Sequence, residues 1–114
     1  MQHNDRQMIK ISITENTSNG YITGYTVTGH SRTAEHGYDI VCAGVSSLVQ
    51  TTLLGLIKQL KHPVEYNVDS GDVRVVLTDS PNDLTEAVLR TMLLGLTEIE
   101  RLYPKAVKIE TISS

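Results

Sequence analysis

The stretch that decides the fold is residues 43–60, which read AGVSSLVQTTLLGLIKQL. Its apolar side chains recur every three or four positions, which is the spacing of one face of an α-helix. The stripe consists of Val45, Leu48, Val49, Thr52, Leu56 and Leu60, widened by Leu53, Leu54 and Ile57. We therefore predict a helix from about Ala43 to Leu60, which ends at His62-Pro63 because proline cannot continue a helix.

Two segments before this helix alternate with period two, which predicts strands. The first covers residues 8–14 and the second covers residues 21–28, with the pair Asn19-Gly20 as a favoured hairpin turn between them. The alternating residues are Ile9, Ile11 and Ile13 in the first strand and Tyr21, Thr23, Tyr25 and Val27 in the second. Residues 31–38 are polar and without a period, which predicts a loop between the second strand and the helix.

The pattern after the helix is similar. Val64, Tyr66 and Val68 alternate, a polar turn follows at 69–72, and residues 73–77 predict the returning strand. Ser80-Pro81 then predicts a helix opening, with Ser80 as the cap and Pro81 in the first helical position. The apolar stripe of this second helix consists of Leu84, Val88, Met92, Leu96, Ile99 and Tyr103. Pro104 ends it, and residues 107–111 predict a final strand.

The predicted element order is therefore β-β-α-β-β-α-β within 114 residues, which is the length of one domain. This order predicts an α/β fold of the α+β type, a two-layer domain in which two helices cover one face of a mixed sheet. Residues 8–114 form that domain. Residues 1–7 are polar and patternless, and we expect either a disordered lead or a translation start at Met8.

Composition excludes several classes of protein. The net charge of −3 provides no basic surface for direct nucleic-acid binding. The longest apolar run has six residues, 40–45, whereas a membrane span needs about 20. No export signal is present at the start. The single cysteine excludes an internal disulfide and a cysteine-rich zinc site, and it fits a reducing compartment. We therefore expect a cytoplasmic protein without a membrane partner.

Cys42 is the first candidate for chemistry, because the predicted helix begins directly after it. A thiolate is a strong nucleophile, and a helix N-terminus or a neighbouring imidazolium lowers the pKa of a thiol. The alternative is a small buried side chain that only packs, since cysteine is among the most buried residue types. His30, twelve residues upstream at the end of the second strand, could complete an activated Cys–His pair. The alternative for His30 is a strand-end side chain bonded to solvent or backbone.

The neighbouring residues have weaker signals. Asp39 could orient His30, bind a substrate amide or cap the helix. Ser46, one turn after Cys42, could add a hydroxyl to the same pocket or be an ordinary helical serine. Gly29 suggests a positive φ or a close backbone approach, and Tyr38 could contact substrate as part of a lid.

Four potential metal ligands fall within thirteen residues. They are His30, His36, Asp39 and Cys42. Their spacing matches no recognised zinc pattern. We therefore predict no metal.

Together these residues resemble the motif of a known family. Gly29-His30, a variable polar loop and then residues 37–46, GYDIVCAGVS, look like the bacterial ribosomal-processing cysteine protease family, called Prp. The resemblance extends over residues 8 to about 112. It implies a cysteine endopeptidase that works as a homodimer in the cytoplasm and needs no cofactor or metal. Its substrate would be the precursor of large-subunit ribosomal protein twenty-seven, whose N-terminal extension is removed by a cut after an aromatic pair.

The resemblance also assigns roles to residues. It implies that Cys42 is the nucleophile and His30 the general base, with Asp39 in a supporting position and Ser46 as a pocket hydroxyl. The segment 31–38 would be a mobile loop that closes over the peptide. The competing hypothesis is a non-catalytic, dimeric ribosome-associated or regulatory binding module in which Cys42 is a packed or redox-sensing thiol.

Overall fold

A computed structural model describes residues 8–29, 36–69 and 71–114, with side chains for all of these except 36–39. The described part of the chain contains five strands and two helices. The elements are β1 (Ile9–Glu15), β2 (Ile22–Thr28), α1 (His36–Leu54) continued by one π-helical turn (Gly55–Gln59), β3 (Val64–Asp69), β4 (Asp72–Leu77), α2 (Asp83–Leu102) and β5 (Val107–Ser113). This is the predicted order of elements.

The strands form one mixed sheet in the order β3-β4-β2-β1-β5. β1 is parallel to β5, and the other neighbours are antiparallel. Ile9, Ile11 and Ile13 are fully buried, whereas the intervening Lys10 and Ser12 lie on a more exposed face. One face of the sheet therefore carries the core and the helices, and the predicted two-layer α+β fold is confirmed.

The alternation predicted for β2 breaks near its start. Thr14 lies opposite Gly24, while the next residue, Glu15, lies opposite Ile22. Thr23 is thus the extra residue of a β-bulge, which reverses the face on which the preceding residue lies. As a result Ile22 is fully buried and Thr23 is only half-buried, contrary to the alternation predicted from the sequence.

The first helix begins seven residues earlier than predicted, at His36 instead of Ala43. The reason is that Val41 is buried and extends the stripe of Val45 and Val49 by one further turn. Gly37, which belongs to the predicted loop 31–38, lies inside the first turn. The helix therefore includes a glycine, although glycine in a helix costs about 1 kcal/mol relative to alanine.

The second helix begins later than predicted. Asn82 is its cap: its side chain accepts hydrogen bonds from the backbone N–H groups of Leu84 and Thr85, both at 2.9 Å, and the Thr85 hydroxyl accepts from the Asn82 N–H in return. Ser80 and Pro81 therefore precede the helix. Leu84, predicted for the apolar stripe, is exposed.

The two helices run antiparallel and approach closely at glycines. A Cβ atom at Gly44 would lie 3.4 Å from Ile99 Cδ1, and one at Gly95 would lie 3.0 Å from Leu48 Cδ1. Because glycine has no side chain, the helices can pack tightly at these two positions. This packing places the beginning of α1 beside the end of α2.

Polar contacts anchor the β1–β2 hairpin to α2. Arg90 pairs with Glu86 at 2.6 Å and with Glu15 at 2.9 Å, and it donates to the carbonyl of Gly20. These carboxylates raise the pKa of Arg90. On the core side, the buried hydroxyl of Tyr25 donates to the carbonyl of Val49 at 2.7 Å. β2 is therefore fixed to both helices.

One stretch of α1 and its π-helical turn, Ile40–Gln59, is long and apolar enough to cross a membrane by length and composition alone. Its buried residues Val45, Val49 and Leu56 instead pack in the core that covers the sheet. The segment is accounted for as the core helix of this domain.

Candidate active site

The end of β2 and the beginning of α1 lie at the same end of the sheet, because only residues 29–35 connect Thr28 to His36. The β3–β4 turn lies there too, since the backbone N–H of Gly29 donates to the carbonyl of Gly71 at 3.1 Å. The beginning of β1 adjoins them. The elements that carry the predicted site residues therefore meet at one edge of the fold.

Gly29 combines two features that require glycine. Its φ is +87°, and a Cβ atom built on it would lie 2.5 Å from the carbonyl oxygen of Met8. A side chain would therefore strain the backbone and collide with β1. Both predicted features of Gly29, the positive φ and the close approach, are confirmed.

Cys42 is the seventh residue of α1 and is buried, with 9% of its surface exposed. It belongs to the hydrophobic core cluster together with Val41 and Val45. Ser46 follows one turn later on the same side of the helix and is half-buried. The helix thus brings Cys42 and Ser46 together, as the spacing predicted.

The earlier beginning of α1 corrects one part of the predicted chemistry. The helix macrodipole acts mainly within the first turn, and Cys42 lies nearly two turns from His36. Amides at that depth donate to carbonyls four residues earlier within the helix. The expectation that the helix N-terminus activates Cys42 and holds an oxyanion beside it was therefore wrong for this geometry.

Several other predicted residues lie wholly or partly outside the description. His30 is outside the described residues, as are the side chains of Tyr38 and Asp39. The backbone of Asp39 lies inside α1, so the alternative in which Asp39 caps the helix is wrong. Residues 36–38, predicted to be loop, are helical, and the remainder of the predicted mobile loop lies outside the described residues.

Among the described side chains, no three His, Cys, Asp or Glu side chains come together in a group that could hold a metal ion. The side chains of His30, His36 and Asp39 lie outside this described set.

Comparison with known proteins identifies the family. A family model described as cysteine protease Prp matches residues 8–108. The chain belongs to the Prp family. It is therefore a cysteine protease, which confirms the resemblance of the motif around Cys42.

Curated Prp relatives match along almost their whole length. The ribosomal processing cysteine protease Prp of Staphylococcus aureus is 31% identical over 105 residues, covering 90% of this chain and 97% of the relative. The Bacillus subtilis protein of the same name is 27% identical over 110 residues, covering 91% of this chain and 97% of the relative.

Solved structures show the same fold. The Staphylococcus aureus Prp in complex with a substrate peptide superposes with a TM-score of 0.83 at 30% identity, covering 91% of this chain and 99% of that one. The same protease with a covalently linked product peptide superposes with a TM-score of 0.81 at 31% identity, and it also covers 91% of this chain and 99% of that one. SMU.848 of Streptococcus mutans superposes with a TM-score of 0.84 at 24% identity, covering 94% of this chain and 99% of that one. This similarity supports the fold alone.

Proposed function

We propose that this Prp family member removes the N-terminal extension of the precursor of large-subunit ribosomal protein twenty-seven, cutting after an aromatic pair, in the bacterial cytoplasm. The observation that carries the proposal is the match to curated ribosomal processing proteases over 97% of their length. The Staphylococcus aureus relative has been solved with a substrate peptide and with a covalently linked product peptide.

Cys42 is the proposed nucleophile, because a cysteine protease needs a reactive thiol and this chain contains one cysteine. His30 is the proposed general base, from its position directly after Gly29 in the family motif. Asp39 supports this pair, and Ser46 contributes a hydroxyl one turn from the sulfur. The pair needs no metal and no cofactor.

The reaction follows from these roles. His30 takes the proton of the Cys42 thiol, and the thiolate attacks the carbonyl carbon of the residue before the cut. Collapse of the tetrahedral intermediate breaks the peptide bond, and protonated His30 gives its proton to the departing amine. Water, deprotonated by His30, then attacks the thioester, which releases the new carboxyl end and restores the thiol.

The direct test is cleavage of a peptide that spans the extension of the host's own ribosomal protein twenty-seven, followed by mass spectrometry. We expect a single cut after the aromatic pair. Cleavage elsewhere in the peptide would contradict the proposed specificity. Failure of a folded, reduced sample to cut would contradict the proposed substrate.

The proposed assembly is a homodimer, supported by the outer face of α1. Ile40 and Leu54 are 65% and 52% exposed, and residues 40–57 include no charged side chain. A solvent-facing helix normally presents charged residues on its outer side. An uncharged outer face with exposed aliphatic residues is typical of a surface that another protein chain covers.

We expect sedimentation equilibrium to give about twice the monomer mass of 12.6 kDa, and Leu54→Lys to shift the protein to monomer. A buried lysine at a helix interface would lack a partner for its charge. Ile112→Lys, at an exposed residue of β5, is the matched control and should leave the dimer intact. A wild-type protein that sediments as a monomer would contradict the proposed assembly.

A further inference from the structure

Gly29 is held from both sides where β2 ends. β2 lies between β4 and β1 in the sheet. On the side of β1, a Cβ atom on Gly29 would lie 2.5 Å from the carbonyl oxygen of Met8, so the two backbones are in close contact. On the side of β4, the backbone N–H of Gly29 donates to the carbonyl of Gly71 at 3.1 Å. The backbone that leads directly into His30 is therefore fixed by both neighbouring segments.

Gly71, the acceptor in this contact, belongs to the turn of the β3–β4 hairpin. β3 ends at Asp69 and β4 begins at Asp72, so only two residues connect these strands. Hairpin turns of this length favour glycine because their backbone takes positive φ values, and the φ of Gly71 is +125°. Glycine adopts such a φ without steric cost. The turn thus brings a glycine carbonyl to the end of β2.

Space is not the reason for a glycine at position 71. Nothing lies within 4 Å of a Cβ atom placed on Gly71, so a side chain would meet no neighbour. A residue with a side chain instead favours a negative φ. That change rotates the peptide unit and turns its carbonyl oxygen away from the N–H of Gly29. The conformation of Gly71 therefore determines whether its contact with Gly29 forms.

We propose that Gly71 is a positioning residue of the protease: its carbonyl fixes the backbone that leads into His30, and it thereby places the general base against the Cys42 thiol. This proposal rests on the proposed function, which assigns His30 as the base. A general base must lie within hydrogen-bond reach of the proton that it takes. A displacement of about 1 Å caused by a distant substitution can lower a rate about 10²-fold. A backbone anchor one residue before the base is therefore expected to affect the rate strongly.

Alkylation of Cys42 by iodoacetamide as a function of pH is the first measurement, because it needs no substrate and reports thiolate formation. We expect Gly71→Ala to react about tenfold more slowly than wild type near neutral pH and to react fully only above about pH 8.5, the ordinary thiol value. The substitution changes no charge, and the carboxylates of Asp69 and Asp72 on either side of the turn stay in place. A shifted profile therefore reports altered geometry.

Cleavage of the proposed ribosomal peptide is the second measurement. Gly71→Ala should lower kcat about 10- to 100-fold and leave KM within about twofold of wild type, because the defect lies in proton transfer and not in substrate binding. An equal loss in kcat and kcat/KM is the signature of an interaction that acts only in the reaction step.

Gly20→Ala is the matched control. Gly20 is also a hairpin glycine with a positive φ, +77°, and nothing lies within 4 Å of a Cβ atom placed there. It precedes β2, at the opposite end of that strand from Gly29. Gly20→Ala should therefore lose stability through its φ, as Gly71→Ala does, but it should change neither the alkylation profile nor kcat. Thermal melts of both variants measure the loss of stability.

A double substitution tests whether Gly71 acts through His30. In a His30→Ala background, Gly71→Ala should slow the alkylation of Cys42 no further, because the base that it positions is absent. An equal further slowing in that background would show that Gly71 affects the thiol by another route, which would overturn the proposal.

The remaining outcomes separate this proposal from the proposed function. If Gly71→Ala is alkylated and cleaves as wild type does, the positioning role is overturned and the Cys42–His30 pair stands. If Gly71→Ala is unfolded under assay conditions, or Gly20→Ala loses activity equally, the turn serves stability alone and the role is also overturned. Equal alkylation profiles for wild type and His30→Ala would contradict the pair and the positioning role together. A wild-type protein that cuts no peptide but shows the expected alkylation differences would contradict only the proposed substrate.

Discussion

Cys42→Ala is expected to abolish peptide cleavage, lowering kcat by about 10⁶-fold, the scale seen when a protease loses its nucleophile. Alanine cannot form the thioester, so the reaction loses its covalent step. The side chain is buried in the core cluster together with Val41 and Val45, and the substitution removes only one heavy atom, the sulfur. The variant should therefore stay folded, which a thermal melt would verify.

His30→Ala should lower cleavage to a comparable extent, because the thiolate then forms only at higher pH. The informative measurement is the rate of iodoacetamide alkylation as a function of pH. We expect wild type to react faster than glutathione near neutral pH and His30→Ala to react fully only above about pH 8.5, the ordinary thiol value. Equal alkylation profiles for the two proteins, or wild-type cleavage by His30→Ala, would rule out the proposed pair.

Cys42→Ser tests whether Cys42 is the nucleophile or only packs. A hydroxyl in place of the thiol keeps the packing but is a much weaker nucleophile without further activation. If Cys42 is the nucleophile, this variant therefore loses cleavage. Wild-type cleavage by Cys42→Ser would show that Cys42 only packs.

Gly29→Ala is the second substitution with a large expected effect. The left-handed φ of +87° costs a non-glycine residue about 1–2 kcal/mol, and the added Cβ would lie 2.5 Å from the carbonyl oxygen of Met8. The two costs together should lower the free energy of unfolding by more than about 2 kcal/mol, since the backbone of β1 must move to remove the collision. Urea denaturation would measure this loss.

Gly20→Ala is the matched control for Gly29→Ala. Gly20 also has a positive φ, +77°, but nothing lies within 4 Å of a Cβ atom placed there. Gly20→Ala therefore measures the free-energy cost of a positive φ at a non-glycine residue without the steric collision. We expect a smaller loss of stability than at Gly29. Equal losses at the two glycines would show that the contact with Met8 is unimportant. Only Gly29→Ala should also reduce cleavage, because it displaces the backbone that leads into His30.

The element order and the sheet class followed from the sequence because hydrophobic period is a strong signal over whole segments. Ile9, Ile11 and Ile13 alternate without interruption, and all three are fully buried. Val45 and Val49 likewise follow the helical period that the sequence predicts. In each case the residues that the hydrophobic pattern assigns to the core are the residues that the structure buries.

The errors lie where a local signal competed with tertiary packing. Residues 36–38 belong to a polar segment that predicted a loop, yet the helix extends over them. Ser80 and Pro81 predicted a cap, but Asn82 makes a reciprocal pair of hydrogen bonds with Thr85. The bulge at Thr23 has no signature in the sequence, because it arises from the register between β1 and β2.

The candidate site was predictable in part. The motif around Cys42 was sufficient to indicate the family, and the positive φ at Gly29 followed from its residue type. The exposure of Tyr66 and Val68 was not predicted, since the alternation of Val64, Tyr66 and Val68 indicates a strand but not that a helix leaves it uncovered. Only the three-dimensional arrangement of α1 over the sheet reveals that.

The parallel pairing of β1 with β5 joins the first strand to the last, with Ile9 opposite Val107 and Thr14 opposite Ile112. Contacts between residues so distant in the chain slow folding, because a large loop must close before they form. During synthesis on the ribosome, β1 can pair with β2 early, but it can pair with β5 only after β5 has been synthesised and has left the exit tunnel. Val107 of β5 belongs to the same core cluster as Cys42, so that cluster is complete only after the whole domain has been translated.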